Sequence, residues 1–334
     1  MRNGLLLCSL LSLSAMAVSA QKMPQMTAPK NGTRATLVRL ANLYVQPDES
    51  ADRMAEVTPG RELVIVERNG KWLRVFANTD TQDTRRSDQP EFGGDAETAA
   101  PISGWLLDKG IVDVNTPHGD QILFGEADIA EQAASEPNPP PRVAQEARLL
   151  YRRLVEMFPQ SPWIAEAMYR AADIRWQTQK ADAMTLPSAH EKESYLREQM
   201  DEDEMKKVEK YFPHTKWAAL AAFDLIDNKL CGDWQGSEKC PEKEADYYLK
   251  FADDYPDAEV TPSALYKAAW REASAGDMWA SDGDQKRADE DRGRAKAIVQ
   301  RMTDKYPQSA YTVRGTTLVY KVEQGIPVYG SERE

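Results

Sequence analysis

Leu154-Val155-Glu156-Met157-Phe158-Pro159-Gln160-Ser161-Pro162 decides the fold of this chain, because its centre, an aromatic residue followed by proline, occurs four times in register. The other copies are Phe212-Pro213, Tyr255-Pro256 and Tyr306-Pro307. Eight positions before each proline stand Tyr151, Met205, Tyr248 and Val299; five before it stand Leu154, Val208, Phe251 and Met302. Four positions after it stand Trp163, Trp217, Val260 and Tyr311; eight after it stand Ala167, Ala221, Ala264 and Gly315, all small. Ten after it stand Tyr169, Phe223, Tyr266 and Thr317. Agreement at this many positions marks an internal repeat.

Each phrase predicts a helix boundary. The residue before a proline avoids the helical region, so a helix stops there. Ser161-Pro162, Thr215, Thr261-Pro262 and Ser309 then supply capping residues that start the next helix. The spacing predicts first helices at about 143–158, 191–212, 242–255 and 287–306, and second helices at about 162–179, 216–230, 262–276 and 310–323. Polar connectors at 180–190, 231–241 and 277–286 join the pairs. The small residue lets two helices approach closely. One pair cannot bury its own apolar stripe, whereas stacked pairs can, so the expected architecture is a solenoid of helical hairpins. Gly315 and Thr317 weaken the fourth copy, which suits a terminal cap. The phrase itself reads as structural, with recognition expected on the residues between copies.

This half of the chain, 143–330, resembles tetratricopeptide-like repeats of the envelope type, as found in the outer-membrane barrel-assembly lipoprotein and in periplasmic coordinators of wall synthesis. The likeness rests on the quoted phrase followed by Ala167-Met168-Tyr169-Arg170-Ala171-Ala172, which recurs as Ala264-Leu265-Tyr266-Lys267-Ala268-Ala269. The prolines are 54, 43 and 51 residues apart, longer than usual for the family. The resemblance implies protein binding.

From 33 to 116 the period changes to two. Short β-branched runs at 36–40, 43–45, 63–67, 72–75, 104–107 and 111–114 are separated by Pro47-Asp48, Pro59-Gly60 and Asn69-Gly70. Asn69-Gly70 is a strong hairpin signal, because both residues accept positive φ. Short strands with tight turns predict a small barrel. Leu43-Tyr44-Val45-Gln46-Pro47, Gly70-Lys71-Trp72-Leu73-Arg74-Val75 and Gly104-Trp105-Leu106 resemble the ordered motifs of bacterial Src-homology-3 (SH3-like) domains. Tyr44 and Gln46 depart from the family's asparagine and arginine, and a polar insertion, 78–103, interrupts the last hairpin. The expected fold class is therefore multidomain: a small all-β SH3-like barrel, a Pro-rich linker at 117–142 containing a short helix at 122–134, and an all-α TPR-like solenoid.

Arg2, the apolar run Leu5 to Val18 and Val18-Ser19-Ala20 read as a secretory signal, residues 1–20, cleaved near Ala20. No later stretch is apolar enough for a transmembrane segment. The expected location is periplasmic or secreted. Export leaves Cys231 and Cys240, nine positions apart in a connector, as an expected disulfide. A net charge of −12 argues against nucleic acid, whose phosphates call for a basic face.

No cofactor motif and no metal-ligand spacing stands out. His190-Glu191 lacks the second histidine of a zinc-protease helix. Asp201-Glu202-Asp203-Glu204 reads as a solvated helix start. Cys231 with His214 would serve a cysteine peptidase only if Cys231 were free. Trp72 and Trp105 have two readings, filling of a small barrel or an aromatic platform. Trp163 and Trp217 read as core. The candidate ligand surface is Tyr44, Trp72 and Trp105 on the barrel, with Tyr169, Arg170, Tyr266 and Lys267 on the helices. The functional expectation is an exported, non-enzymatic binding or scaffolding protein whose partners are envelope proteins and peptidoglycan. The alternatives are a peptidoglycan hydrolase or its activator, and a structural assembly subunit.

Overall fold

The computed structural model describes residues 32–79 and 101–330. The stretch read as a secretory signal and most of the 78–103 stretch lie outside them. The described residues form an antiparallel sheet of seven strands followed by nine α-helices.

The strands are β1 (Thr33–Leu37), β2 (Ala41–Tyr44), β3 (Arg53–Val57), β4 (Glu62–Asn69), β5 (Trp72–Ala77), β6 (Ile102–Leu107) and β7 (Ile111–Asp113). Their spatial order is β3-β2-β6-β5-β4-β1-β7. Leu37, Leu43, Leu63, Leu73, Val75 and Leu106 are fully buried on the inner face. The Asn69-Gly70 hairpin forms as expected, with Asn69 paired to Trp72. The sequence reading missed β3, because Arg53, Met54 and Glu56 are exposed on an edge strand and leave no alternating signal. β6 also begins before the run expected at 104–107. Asn78 is buried, and β6 starts at Ile102.

The helices are α1 (Gly119–Ala134), α2 (Val143–Met157), α3 (Ile164–Met184), α4 (Asp203–Tyr211), α5 (Lys216–Asp224), α6 (Lys239–Asp254), α7 (Thr261–Ser281), α8 (Gln285–Lys305) and α9 (Ala310–Glu323). All four aromatic-Pro phrases adopt one backbone conformation. Phe158, Phe212, Tyr255 and Tyr306 have φ between −126° and −132° and ψ between 49° and 63°. Each donates its N–H to the carbonyl four residues back, closing the helix at 2.7–3.0 Å. Each carbonyl then accepts an N–H from three residues on. The proline forbids a further helical bond, so the same local chemistry yields the same turn four times. Ala167, Ala221 and Ala264 are fully buried. A Cβ on Gly315 would come within 3.2 Å of Val299, so the small position does set helix approach.

Three elements differ from expectation. The stretch read as a linker contains α1, longer than expected, which packs on α2 through Leu123, Ala127, Tyr151 and Leu154. Gly119 permits this approach, since a Cβ there would lie 2.4 Å from the Phe158 ring. The Pro-rich run therefore joins two packed helices instead of holding two domains apart. Next, α4 begins at Asp203, not near 191. Buried Asn228 accepts the Met200 N–H at 3.0 Å and donates to its carbonyl at 2.9 Å, so a side chain satisfies backbone that a helix would otherwise pair. Finally, Thr261 lies inside α7, and its hydroxyl donates back to the Tyr255 carbonyl instead of capping.

Cys231 and Cys240 are disulfide-bonded, with Cα atoms 6.1 Å apart. Closing so short a loop contributes about 3 kcal/mol or less. The double substitution Cys231→Ser, Cys240→Ser is expected to lower stability by that amount. The check is a urea titration in which dithiothreitol moves the parent midpoint but not the variant's.

The sheet and the helices meet at Gly60. Its φ is +77°, its N–H bonds the Leu37 carbonyl at 2.9 Å, and its carbonyl accepts Arg153 Nε at 2.9 Å. Val38 and Val112 of the sheet pack against the α1–α2 cluster.

Candidate functional site

The strand candidates gather on the outer face of the sheet. Leu43, Leu73 and Leu106 point inward, so alternation turns Tyr44, Trp72 and Trp105 outward. Tyr44 pairs with Trp105 across β2 and β6, and its ring meets Trp72 edge-to-face at 5.6 Å and 87°. Trp105 is half-buried and faces exposed Arg74 across the strands. Trp72 and Tyr44 are buried, and Lys71, paired with Glu49 at 2.8 Å, reaches across the Trp72 ring. Neither tryptophan belongs to the buried cluster on the inner face of the sheet. Of the three aromatics, Trp105 offers the most surface.

The helical candidates do not form an open groove. Tyr169 is buried, stacks on Trp217 at 5.6 Å and donates its hydroxyl to Asp224 at 3.0 Å. Tyr266 is buried in the C-terminal core beside Tyr311. Arg170 ties three helices together. It pairs with Asp128 at 2.7 Å and Glu131 at 3.0 Å on α1, and with Glu166 at 2.8 Å on its own helix. It also bonds the Tyr151 hydroxyl of α2 at 3.0 Å. Lys267 is half-buried over Tyr248. In the other direction, Trp163 is substantially exposed, contrary to a core reading.

Behind Tyr169 lies a group of carboxylates with a pH consequence. Burial, reinforced by the Asp173 charge, pushes Asp224 up to about 7 against the pull of the Tyr169 hydroxyl and Lys180. Burial likewise pushes Glu272 up to about 7, although Arg294 lies 2.8 Å away. Both groups bind protons more tightly folded than unfolded. Their stabilising contribution is complete below the unfolded carboxylate range near ~4 and is lost as pH rises through about 7. The urea midpoint of unfolding is expected to fall between about pH 5 and pH 8, and Asp224→Asn is expected to flatten that slope.

The helical part carries a cleft of about 330 Å³ between the α4–α5 pair and α6. Phe223 of α5 meets Tyr248 and Phe251 of α6 at ring distances of 6.0 and 5.3 Å. Leu225, Ile226 and Phe251 line the cleft, and Glu209, Lys229, Lys250 and Asp254 add both signs of charge. Tyr255 donates to Glu209 at 3.3 Å, and burial pushes Glu209 up from the ordinary glutamate range. Pro213, His214 and Tyr255 also line it, so two successive aromatic-Pro phrases face the opening. The sequence reading made those phrases mostly structural and passed over the cleft charges. The available signal was the position of His214 directly after a phrase.

Among the described residues no group of three or more His, Cys, Asp or Glu side chains is placed to hold a metal ion, and no helix is long and apolar enough to cross a membrane. No protein-family model and no curated protein matches the chain. A solved chain described as "DHF79 filament" is 14% identical over 60% of this chain and 83% of that one, with a TM-score of 0.19. A likeness that weak carries no argument about fold or function.

Proposed function

We propose that the chain is an exported, non-enzymatic binding and scaffolding protein of the cell envelope. Its TPR-like helical repeats hold a protein partner, and its SH3-like sheet holds wall peptide or a second protein. The observation that carries this reading is the cleft between α4–α5 and α6. It combines apolar walls, aromatic rings and charges of both signs, a composition suited to the side chains of a docked polypeptide. The Cys231–Cys240 bond supports export, since such bonds persist in oxidising compartments. Half-buried Trp105 beside Arg74 supports a second contact on the sheet.

The test is capture from an envelope extract and by intact sacculi, using the full chain. Lys229→Glu with Lys250→Glu is expected to reduce protein capture about tenfold while leaving wall retention unchanged, since desolvated charge pairs contribute a kcal/mol or more each. Trp105→Ala is expected to do the reverse. Retention of neither protein nor wall material by the full chain would overturn the reading.

A further inference from the structure

Residues 324–330, after α9, return to the helical stack. Ile326 N–H bonds the Lys321 carbonyl at 2.9 Å and ends the helix. Residues 326–330 form no strand or helix. Val328 is 1% exposed, whereas Ile326 and Tyr329 on either side are 46% and 41% exposed. The Val328 and Tyr329 N–H groups both point at one oxygen of Asp277, at 2.7 and 3.3 Å. The Tyr329 ring stacks on Trp234 at 6.1 Å, with the planes 10° apart.

The seat under this segment is held by bonds that do not involve it. Asp277 is oriented by Arg292, which donates to its other oxygen at 3.1 Å. Trp234 lies inside the loop closed by Cys231 and Cys240, and its ring meets Trp270 at 5.6 Å. Its indole N–H donates to Glu244 at 3.2 Å. Glu244, 2% exposed, also accepts the Cys231 N–H at 2.8 Å and pairs with Arg271 at 2.7 Å. A seat built this way keeps its shape when empty, which lowers the ordering cost of binding. The tail adds to it the Val328 side chain, which joins the C-terminal core cluster, the two N–H bonds to Asp277 and the Tyr329 ring stack.

We propose that Asp277, Trp234 and Trp270 form a peptide-binding site, and that residues 324–330 occupy it as an intramolecular ligand. The site takes an extended segment of a partner protein bearing a Val-sized side chain followed by an aromatic one. Asp277 receives consecutive backbone N–H groups, the valine-sized group fills the pocket, and the aromatic ring lies on Trp234. The tether gives the tail an effective concentration on the order of millimolar, so a partner segment must outbind it to enter. The site is separate from the 330 Å³ cleft and stands whether or not that cleft binds a partner.

The probe is a labelled peptide with the sequence of residues 324–330, followed by fluorescence anisotropy. A chain ending at Glu323 is expected to bind it saturably, the full chain about tenfold more weakly, and the shortened chain carrying Asp277→Ala not detectably. Val328→Asp in the full chain expels the anchor without truncation. It is expected to bind the peptide like the shortened chain while keeping cooperative unfolding. The proposal is overturned if neither variant binds, or if full and altered chains bind equally. It is also overturned if Val328→Asp loses cooperative unfolding, which would make the tail part of the core, or if the full chain dimerises by exchanging tails.

Discussion

Arg271→Met is expected to lower the stability of the helical part by about 3–5 kcal/mol, because it strands a buried charge. Arg271 is 6% exposed and pairs with Glu244, 2% exposed, at 2.7 Å. Glu244 has two further donors, the Cys231 N–H and the Trp234 indole, but neither carries a charge. Methionine fills most of the space and removes the cation. The Arg271→Met, Glu244→Gln double variant is expected to recover a large part of the loss, since the amide oxygen still accepts and no net charge stays buried. Urea titrations followed by tryptophan fluorescence measure both. A loss below about 1 kcal/mol for Arg271→Met would mean that water reaches Glu244, in conflict with the packing around it.

Gly60→Ala is expected to cost about 2–4 kcal/mol at the junction of sheet and helices. Two effects add. The φ of +77° is strained for any residue with a Cβ, and the new methyl would lie 2.5 Å from Leu149 Cβ and 2.8 Å from the Leu150 nitrogen. Relief requires the turn to lift from α2, which lengthens the bond from Arg153 to the Gly60 carbonyl. The expected signature is specific: amides of β1 and α2 near the junction exchange faster with solvent, while β5 and α7 keep their protection. Gly70→Ala serves as the control. Its φ is +57°, but a Cβ there meets nothing within 4 Å, so only the backbone strain remains.

The two positions show what was legible in the residues. Pro59-Gly60 reads as a turn from sequence, and a turn is what forms. Its docking on α2 is invisible there, because the Arg153 partner lies 93 residues away and nothing near Gly60 announces it. The candidate groove failed for the same reason. Tyr169 and Arg170 are groove candidates in the repeated segment. The groups that draw their polar ends inward, Asp224 for Tyr169 and Asp128 for Arg170, lie 55 and 42 residues away. The aromatics of the sheet fared better. Strand alternation places Tyr44, Trp72 and Trp105 on one face, although the Lys71–Glu49 pair that brings an ammonium to the Trp72 ring joins separate turns.

The aromatic-Pro phrase was decided by sequence. Its effect is confined to one turn of chain, where proline removes a donor and bars the preceding residue from helical φ/ψ. Four copies therefore give four near-identical helix ends. The chain likewise determined by itself its division into a strand-rich and a helical part, and the Cys231–Cys240 pair. Tertiary structure alone decided the role of α1 and the position of the cleft between α5 and α6. It also decided the return of Val328 to Asp277. These depend on which surfaces of distant elements come together, and burial, charge pairing and ring packing select that outcome only after the local turns have formed.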